Sequence, residues 1–317
     1  MSLQIIKGVQ KRPQRVVIYG IEGIGKSTLA AQFPKPLFID TEGGTAHMNV
    51  DRLPTPATWE ELTELLHLIP RSDELDEYRT LVIDTIDWAE MLCIDFVCVK
   101  AGKSGIEDFG YGTGYTAVKE EFERMIRKLD EIVAAGKNVV LVAHAQLRKF
   151  EQPDASGAYD RYELKLGKRT ASQTAPIIKE WSDMLLFINY KTEVYKDGNK
   201  YKATGGERTV FTTHSPAYDA KNRHELPPSF PLSYEPLEGV IPGGEKREIH
   251  PKLHELMTAN GYTVQDVQQA VAKAGYYAAT KKVEMYPIEF VEQKLLKNWD
   301  GVKQVIDAAK KADRKDV

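Results

Sequence analysis

The sequence predicts an α/β fold: a mainly parallel central sheet flanked by helices, followed by a small helical domain. Three observations predict it. Short, near-continuous apolar runs alternate with segments of helical periodicity, the pattern of strands covered on both faces. The first run, Arg15-Val16-Val17-Ile18-Tyr19, leads straight into a glycine-rich turn. After a proline-rich stretch that ends near Gly243-Gly244, the periodicity turns helical. These place a core at 1–244 and an accessory domain at 245–317.

The elements follow in order. Residues 4–14 are polar, with Lys7, Lys11 and Arg12, and read as a lead-in. Leu29 to Phe33, after the glycine turn, has helical character. Pro36-Leu37-Phe38-Ile39-Asp40 is a second strand. Thr58 to Ile69 places Leu62, Leu65, Leu66 and Ile69 on one helical face, with Thr58 as N-cap. Thr80 to Asp84 is a third strand. Phe122, Met125, Ile126, Leu129, Ile132 and Val133 mark an amphipathic helix over 119–134 that stops near Gly136. Asn138 to Ala143 is a fourth strand. Residues 151–176 show little periodicity and read as a long loop. Met184–Tyr195 and Lys200–Thr213 read as two strands joined at Asp197-Gly198, a hairpin signal. Residues 215–242 are too proline-rich for a core strand.

Composition narrows the function. The 317 residues suffice for one large α/β domain and a small one. A net charge of −3 excludes a chain that is basic all over, so a nucleic-acid site has to be a local patch. Cys93 and Cys98 lie in an apolar segment and suit a core; no Cys/His cluster has ligand spacing. No apolar run is long enough for a membrane helix and no signal peptide opens the sequence. The expectation is a cytoplasmic protein with no membrane partner.

The glycine turn carries the strongest chemistry. Gly20-Ile21-Glu22-Gly23-Ile24-Gly25-Lys26-Ser27-Thr28 has the spacing G-x-x-x-x-G-K-S. Glycines let successive backbone N–H groups point at phosphate oxygens, and the helix that follows adds its positive end. Lys26 brings a mobile charge to the β- and γ-phosphates, and the Ser27 hydroxyl can ligate Mg²⁺. ATP and Mg²⁺ are the expected cofactors. Asp84 ends an apolar strand, where a carboxylate can hold the ion through its water shell; the plain alternative is a turn aspartate. The next residue is Thr85, so no carboxylate follows directly to activate water. Glu42, after the strand that succeeds the P-loop helix, is the leading candidate for that task. Asp40, Asp87 and Glu90 are weaker rivals.

Phe38-Ile39-Asp40-Thr41-Glu42 resembles the corresponding segment of the RecA recombinase family, whose glutamate activates the water. Leu81-Val82-Ile83-Asp84 resembles that family's Walker-B strand. Ala143-His144-Ala145-Gln146-Leu147-Arg148 resembles the RecA strand that ends in a γ-phosphate sensor and leads into a DNA-binding loop. The resemblance implies His144 or Gln146 as sensor. Lys221-Asn222-Arg223, followed by Pro227-Pro228-Ser229-Phe230, resembles the RecA segment whose two basic residues reach the ATP of the adjacent subunit. It implies Lys221 and Arg223 as trans-acting residues in a homo-oligomer with ATP sites at subunit interfaces. With Asp108-Phe109-Gly110-Tyr111-Gly112, the whole pattern is most similar to phage and prophage ATP-binding proteins with a RecA-like core, grouped with the Sak-type single-strand annealing recombinases.

Single-stranded DNA is the partner this resemblance implies. The candidate surface is the basic stretch 147–179, with Arg148, Lys149, Arg161, Lys165, Lys168 and Arg169, and with Tyr159 and Tyr162 available to stack on bases. A plain surface loop is the alternative. Lys103 to Tyr115, rich in glycine and tyrosine, is a second candidate loop. Tyr276, Tyr277, Tyr286, Phe290 and Trp299 suit a small helical core; the other expectation for them is a docking surface for a single-strand DNA-binding protein or a neighbouring subunit. The leading expectation is an ATP-dependent DNA-recombination protein that promotes annealing or strand pairing. A RecA-superfamily helicase or loader motor is one alternative. A nucleotide-gated binding module with negligible turnover is another.

Overall fold

The computed structural model describes residues 7–8, 12–151, 157–167, 173–197, 200–243, 249–277, 279, 283–286 and 288–313. The chain divides into two compact units, Met1–Gly244 and Glu245–Val317.

The first unit runs β1 (Arg15–Gly20), α1 (Lys26–Ala30), β2 (Pro36–Asp40), β3 (Asp51–Arg52), α2 (Trp59–Leu68), β4 (Thr80–Asp84), α3 (Ile86–Lys100), α4 (Thr113–Ala134), β5 (Asn138–Glu151), β6 (Ala158–Leu164), α5 (Thr174–Trp181), β7 (Met184–Asp197), β8 (Lys200–Phe211), β9 (Lys221–Asn222) and β10 (Ser229–Pro231). Its strands form one sheet in the order β10-β8-β7-β1-β5-β4-β2-β3, with β6 on β5 and β9 on β7. The strands from β3 to β7 in that order pair in parallel. Antiparallel β8 and β10 complete one side. The glycine loop thus leaves a strand flanked by β5 and β7, and the Asp84 strand lies one place beyond β5. This is the RecA-like P-loop architecture the sequence predicts.

Alternate residues of the central strands serve two cores, because successive side chains point to opposite faces. Val17, Tyr19, Ile39, Leu81, Ile83, Val139 and Leu141 pack with α2, α3 and α4. Val16, Ile18, Phe38, Val82, Val140 and Val142 pack with Leu29 of α1 and with Phe230, Leu237 and Ile241. Burial on both faces explains why the strands read as continuous apolar runs. Thr58 does cap α2, accepting from the Glu61 N–H. Cys93 and Cys98 are buried thiols of α3.

Two expectations need correction. Residues 151–176 are not one long loop. β5 continues to Glu151 and pairs with β6 in an antiparallel ribbon, Ala145 opposite Leu164 and Glu151 opposite Ala158. The outer half of this ribbon buries little, so no apolar periodicity marks it. The proline-rich stretch also supplies two short strands: Lys221-Asn222 pairs with β7, and Ser229-Phe230-Pro231 pairs with β8 at the sheet's end. As the last strand in the sheet order, the latter tolerates Pro231.

The second unit contains α6 (Pro251–Asn260), α7 (Val264–Lys273), α8 (Ile288–Phe290), which continues as a π-wound turn to Leu296, and α9 (Trp299–Asp313). Leu253, Met257, Val267, Val271, Tyr286, Leu295, Trp299 and Ile306 form its core. Tyr277, Tyr286 and Phe290 pack edge-on and stacked within it. Tyr277, Tyr286, Phe290 and Trp299 therefore serve a helical core, while Tyr276 is exposed.

Candidate nucleotide-binding site

Parallel register gathers the functional residues at one sheet edge. Gly20 lies level with His144 of β5 and Ile188 of β7, and Asp40 lies level with Asp84. The C-terminal ends of β1, β2 and β4, with His144 midway along β5, therefore share that edge, where open α/β sheets bind ligands.

The loop from Gly20 to Lys26 is shaped by its glycines. A Cβ at Gly20 would lie 2.4 Å from the Ile188 carbonyl oxygen, so only glycine fits. Gly25 has φ of +105°, a left-handed conformation that leads into α1. Ile24 is fully buried and anchors the loop to the core. The Lys26 ammonium donates to the Ile21 carbonyl at 3.0 Å. Burial lowers its pKa, against the opposing pull of Asp84, Asp87, Glu42 and Glu22.

Asp84 is 4% exposed, and its Oδ2 has no hydrogen-bond partner. Burial pushes its pKa up to about 6, although the Ser27 hydroxyl bonds to it and Lys26 stands near. A buried, unpartnered carboxylate oxygen beside a P-loop hydroxyl is a donor set that fits a hard cation.

The loop after β2 is organised by Asp40. Its carboxylate accepts from the backbone N–H groups of Glu42, Gly43, Gly44 and Thr45 and from the Thr45 hydroxyl. Burial alone would raise its pKa, yet these bonds hold it below the ordinary value. Asp40 is thus saturated and shapes the turn that presents Glu42. Asp87, on α3, accepts from the His144 backbone N–H at 3.0 Å, and its Oδ2 lies 2.8 Å from His144 Nδ1. Glu90, one turn on, accepts from the Gly167 N–H and the Thr174 hydroxyl. All three rivals to Glu42 have structural partners. Glu42 itself is turned toward His144, with Oε2 3.9 Å from Nε2.

His144 and Gln146 part company here. The Gln146 amide donates to the Leu164 carbonyl at 2.8 Å and ties β5 to β6. His144 is the one beside Glu42.

Residues 12–224 match the AAA domain family. The chain belongs to that family. It is 23% identical over 189 residues to the SPbeta prophage-derived uncharacterized protein YorG of Bacillus subtilis (strain 168), across 58% of this chain and 53% of the relative. It thus spans about half the length of that relative. A solved structure, the KaiC-like protein PH0186 of Pyrococcus horikoshii OT3, aligns over 71% of this chain and 88% of its own at 14% identity, with a TM-score of 0.38.

Elsewhere in this AAA-domain chain, the expected DNA surface is only partly assembled. Lys149 and Lys165 are exposed and Arg148 is half-buried on the β5–β6 ribbon. Arg161 does not join them. It is 7% exposed, ion-paired to Asp219 and stacked on the Phe150 ring. Asp219 also takes Lys179 at 2.8 Å. Tyr162 packs against Phe187 and Tyr159 against Phe150, and both are half-buried. Lys168 and Arg169 lie outside the described residues. In the second candidate loop, Ile106 and Phe109 pack against the core while Tyr111 is fully exposed.

Lys221 and Arg223 do not approach the P-loop of their own chain. Lys221 lies level with Leu185, three residues before Ile188 on β7, toward the end of the parallel sheet away from the P-loop. Its ammonium donates to the carbonyls of Lys179, Glu180 and Ser182 at the end of α5. Arg223 pairs with Asp183 at 3.2 Å.

Sequence reading missed Arg208. This exposed residue of β8 reaches the P-loop, where a Cβ at Gly25 would lie 3.1 Å from its Nη1. The alternation of β8 marks it as sharing a face with buried Val210, but only the sheet order brings that strand within two places of β1, across β7.

Proposed function

We propose that this chain is an Mg²⁺-dependent ATPase that binds single-stranded DNA and promotes annealing or strand pairing in phage or prophage recombination. The P-loop backbone and Lys26 hold the triphosphate. Ser27 and Asp84 hold the ion, which supplies charge for the transferring phosphate. Glu42 and His144 carry hydrolysis. Asp87 is ionised, so it accepts the Nδ1 proton of His144 and leaves Nε2 as an acceptor. Nε2 and the Glu42 carboxylate then converge from 3.9 Å apart. That gap is too long for a direct bond, but a water donating to both fits it. Such a water is polarised for attack.

The observation that carries the DNA reading is the course of β5. One strand runs from His144, beside the phosphate edge, into the ribbon that bears Arg148, Lys149 and Lys165. Charge at that ribbon and the state of the nucleotide are thereby joined on one continuous strand. The prophage relative supports a phage setting, and the RecA resemblance is what speaks for recombination and for assembly into a ring or short oligomer. ATPase assays with and without single-stranded DNA test the reading. Stimulation by DNA is expected. Hydrolysis that ignores DNA, together with no DNA binding in any nucleotide state, would leave only a nucleotide-binding domain.

A further inference from the structure

The geometry points to Arg208 as a cation of the same chain that binds the polyphosphate of the nucleotide, which we propose as a deepening of the nucleotide reading above. Three observations place it. First, register: Gly20 is level with Ile188, Ile188 pairs with Val210, and Tyr190 pairs with Arg208. Arg208 therefore lies two residues beyond the level at which the P-loop begins, past the ligand edge of the sheet. Second, face: Val210 packs in the same core cluster as Ile24 of the loop and Leu29 of α1. Arg208, two residues away on an extended strand, projects from that same face. Third, proximity: a Cβ at Gly25 would lie 2.8 Å from Leu232 Cδ2 and 3.1 Å from Arg208 Nη1. Leu232 and Arg208 are tied by the Leu232 N–H to Arg208 carbonyl bond at 2.8 Å. The pair closes over the glycine that carries the left-handed turn.

Charge explains why a second cation belongs there. The edge gathers Glu22, Asp84, Asp87 and Glu42 around Lys26, whose ammonium is hydrogen-bonded to the Ile21 carbonyl. A triphosphate added to these carboxylates carries more negative charge than Lys26 and a Mg²⁺ ion together offset. Among the described residues no carboxylate pairs with the Arg208 guanidinium, and its planar fork suits two phosphate oxygens. The residues expected to play this part from a neighbouring subunit, Lys221 and Arg223, are engaged by the carbonyls at the end of α5 and by Asp183. Arg208 provides a phosphate-binding arginine in cis.

Titration calorimetry with ATP, ADP and AMP tests this on wild type, Arg208→Ala, Arg208→Lys and Lys26→Ala. Arg208→Ala should weaken ATP and ADP roughly ten- to a hundredfold, the range for one charge-assisted hydrogen bond, and leave AMP unchanged. Arg208→Lys should recover part of the loss. Arg208→Gln, which keeps the length of the side chain, repeats the measurement if the alanine variant misfolds by circular dichroism. Wild-type ATP affinity in the alanine and glutamine variants, with Lys26→Ala impaired, overturns the proposal and spares the nucleotide site. An equal loss for all three nucleotides also overturns it, assigning Arg208 to the base or ribose. A wild-type chain that binds no nucleotide overturns both. Mixing Arg208→Ala with Lys26→Ala separates cis from trans: no regain of hydrolysis is expected, and a regain refutes action within one chain.

Discussion

His144 is held by Asp87 at two points: its backbone N–H at 3.0 Å from Oδ1 and its ring Nδ1 at 2.8 Å from Oδ2. Burial favours a neutral Asp87, but these bonds outweigh it and hold the carboxyl below its usual range. The imidazole is thereby fixed in place and in tautomer, with Nε2 toward Glu42.

Glu42 and Asp87 should therefore differ sharply on substitution. Glu42→Gln should keep ATP affinity while kcat falls ~10²–10⁴-fold, the span for a general base. Asp87→Asn removes a positioning charge and should cost at least about tenfold less than Glu42→Gln. Single-turnover rates with calorimetric affinities read both. A dead Asp87→Asn beside an active Glu42→Gln would reverse the assignment.

Asp84 links pH, stability and ion binding. Its folded pKa, about 6, exceeds the ordinary 3.8. The fold thus favours its protonated form, and stability falls as pH rises through that window, with the loss complete above about pH 6. Asp84→Asn should stabilise the nucleotide-free protein at pH 8 by on the order of 2–3 kcal/mol. It should add little near pH 3.5. The same variant should lose Mg²⁺-dependent hydrolysis, and in wild type Mg²⁺ should compete with protons below about pH 6. Urea unfolding of both proteins at the two pH values, beside Mg²⁺ titrations, checks these signs. A destabilised Asp84→Asn at pH 8 would contradict the burial argument.

Lys221 caps the end of α5 through three carbonyls. Lys221→Ala should cost about 1–3 kcal/mol, the range for hydrogen bonds to a charged group. Complementation decides whether it also acts across subunits. A mixture of Lys26→Ala with the double variant Lys221→Ala, Arg223→Ala should show no regained ATPase if the role is structural. Regained activity that vanishes on dilution would restore the trans-acting reading.

The β5–β6 ribbon should bind DNA by charge alone. Replacing Arg148, Lys149 and Lys165 together by Ala should weaken single-strand binding whatever the base sequence. The log–log salt slope should fall by roughly 0.7 for each phosphate that the variant no longer neutralises. Basal ATPase should persist. An unchanged affinity and slope would make the ribbon a plain surface feature.

The sequence by itself marked the strands of the central sheet and the P-loop turn, and it offered Asp84 and Glu42 as candidate carboxylates at or just after strand ends. These are local signals: apolar runs record burial on both faces, and the G-x-x-x-x-G-K-S spacing records backbone curvature and charge. The β5–β6 ribbon left no such trace, since its outer half buries little. Tertiary structure decided which polar residues are available. Asp40, Asp87, Glu90 and Glu42 look alike as acids in a chain, and only the partners brought to them distinguish three positioning groups from one that faces the site. The same holds for the basic residues. Arg161 and Lys221 are consumed by Asp219 and by helix carbonyls that lie 58 and about 40 residues away. Arg208 reaches the P-loop because strand order sets β8 next to β7, which is itself next to β1. Hydrogen bonds and ion pairs act through space, so a charge's task is settled by the fold that surrounds it.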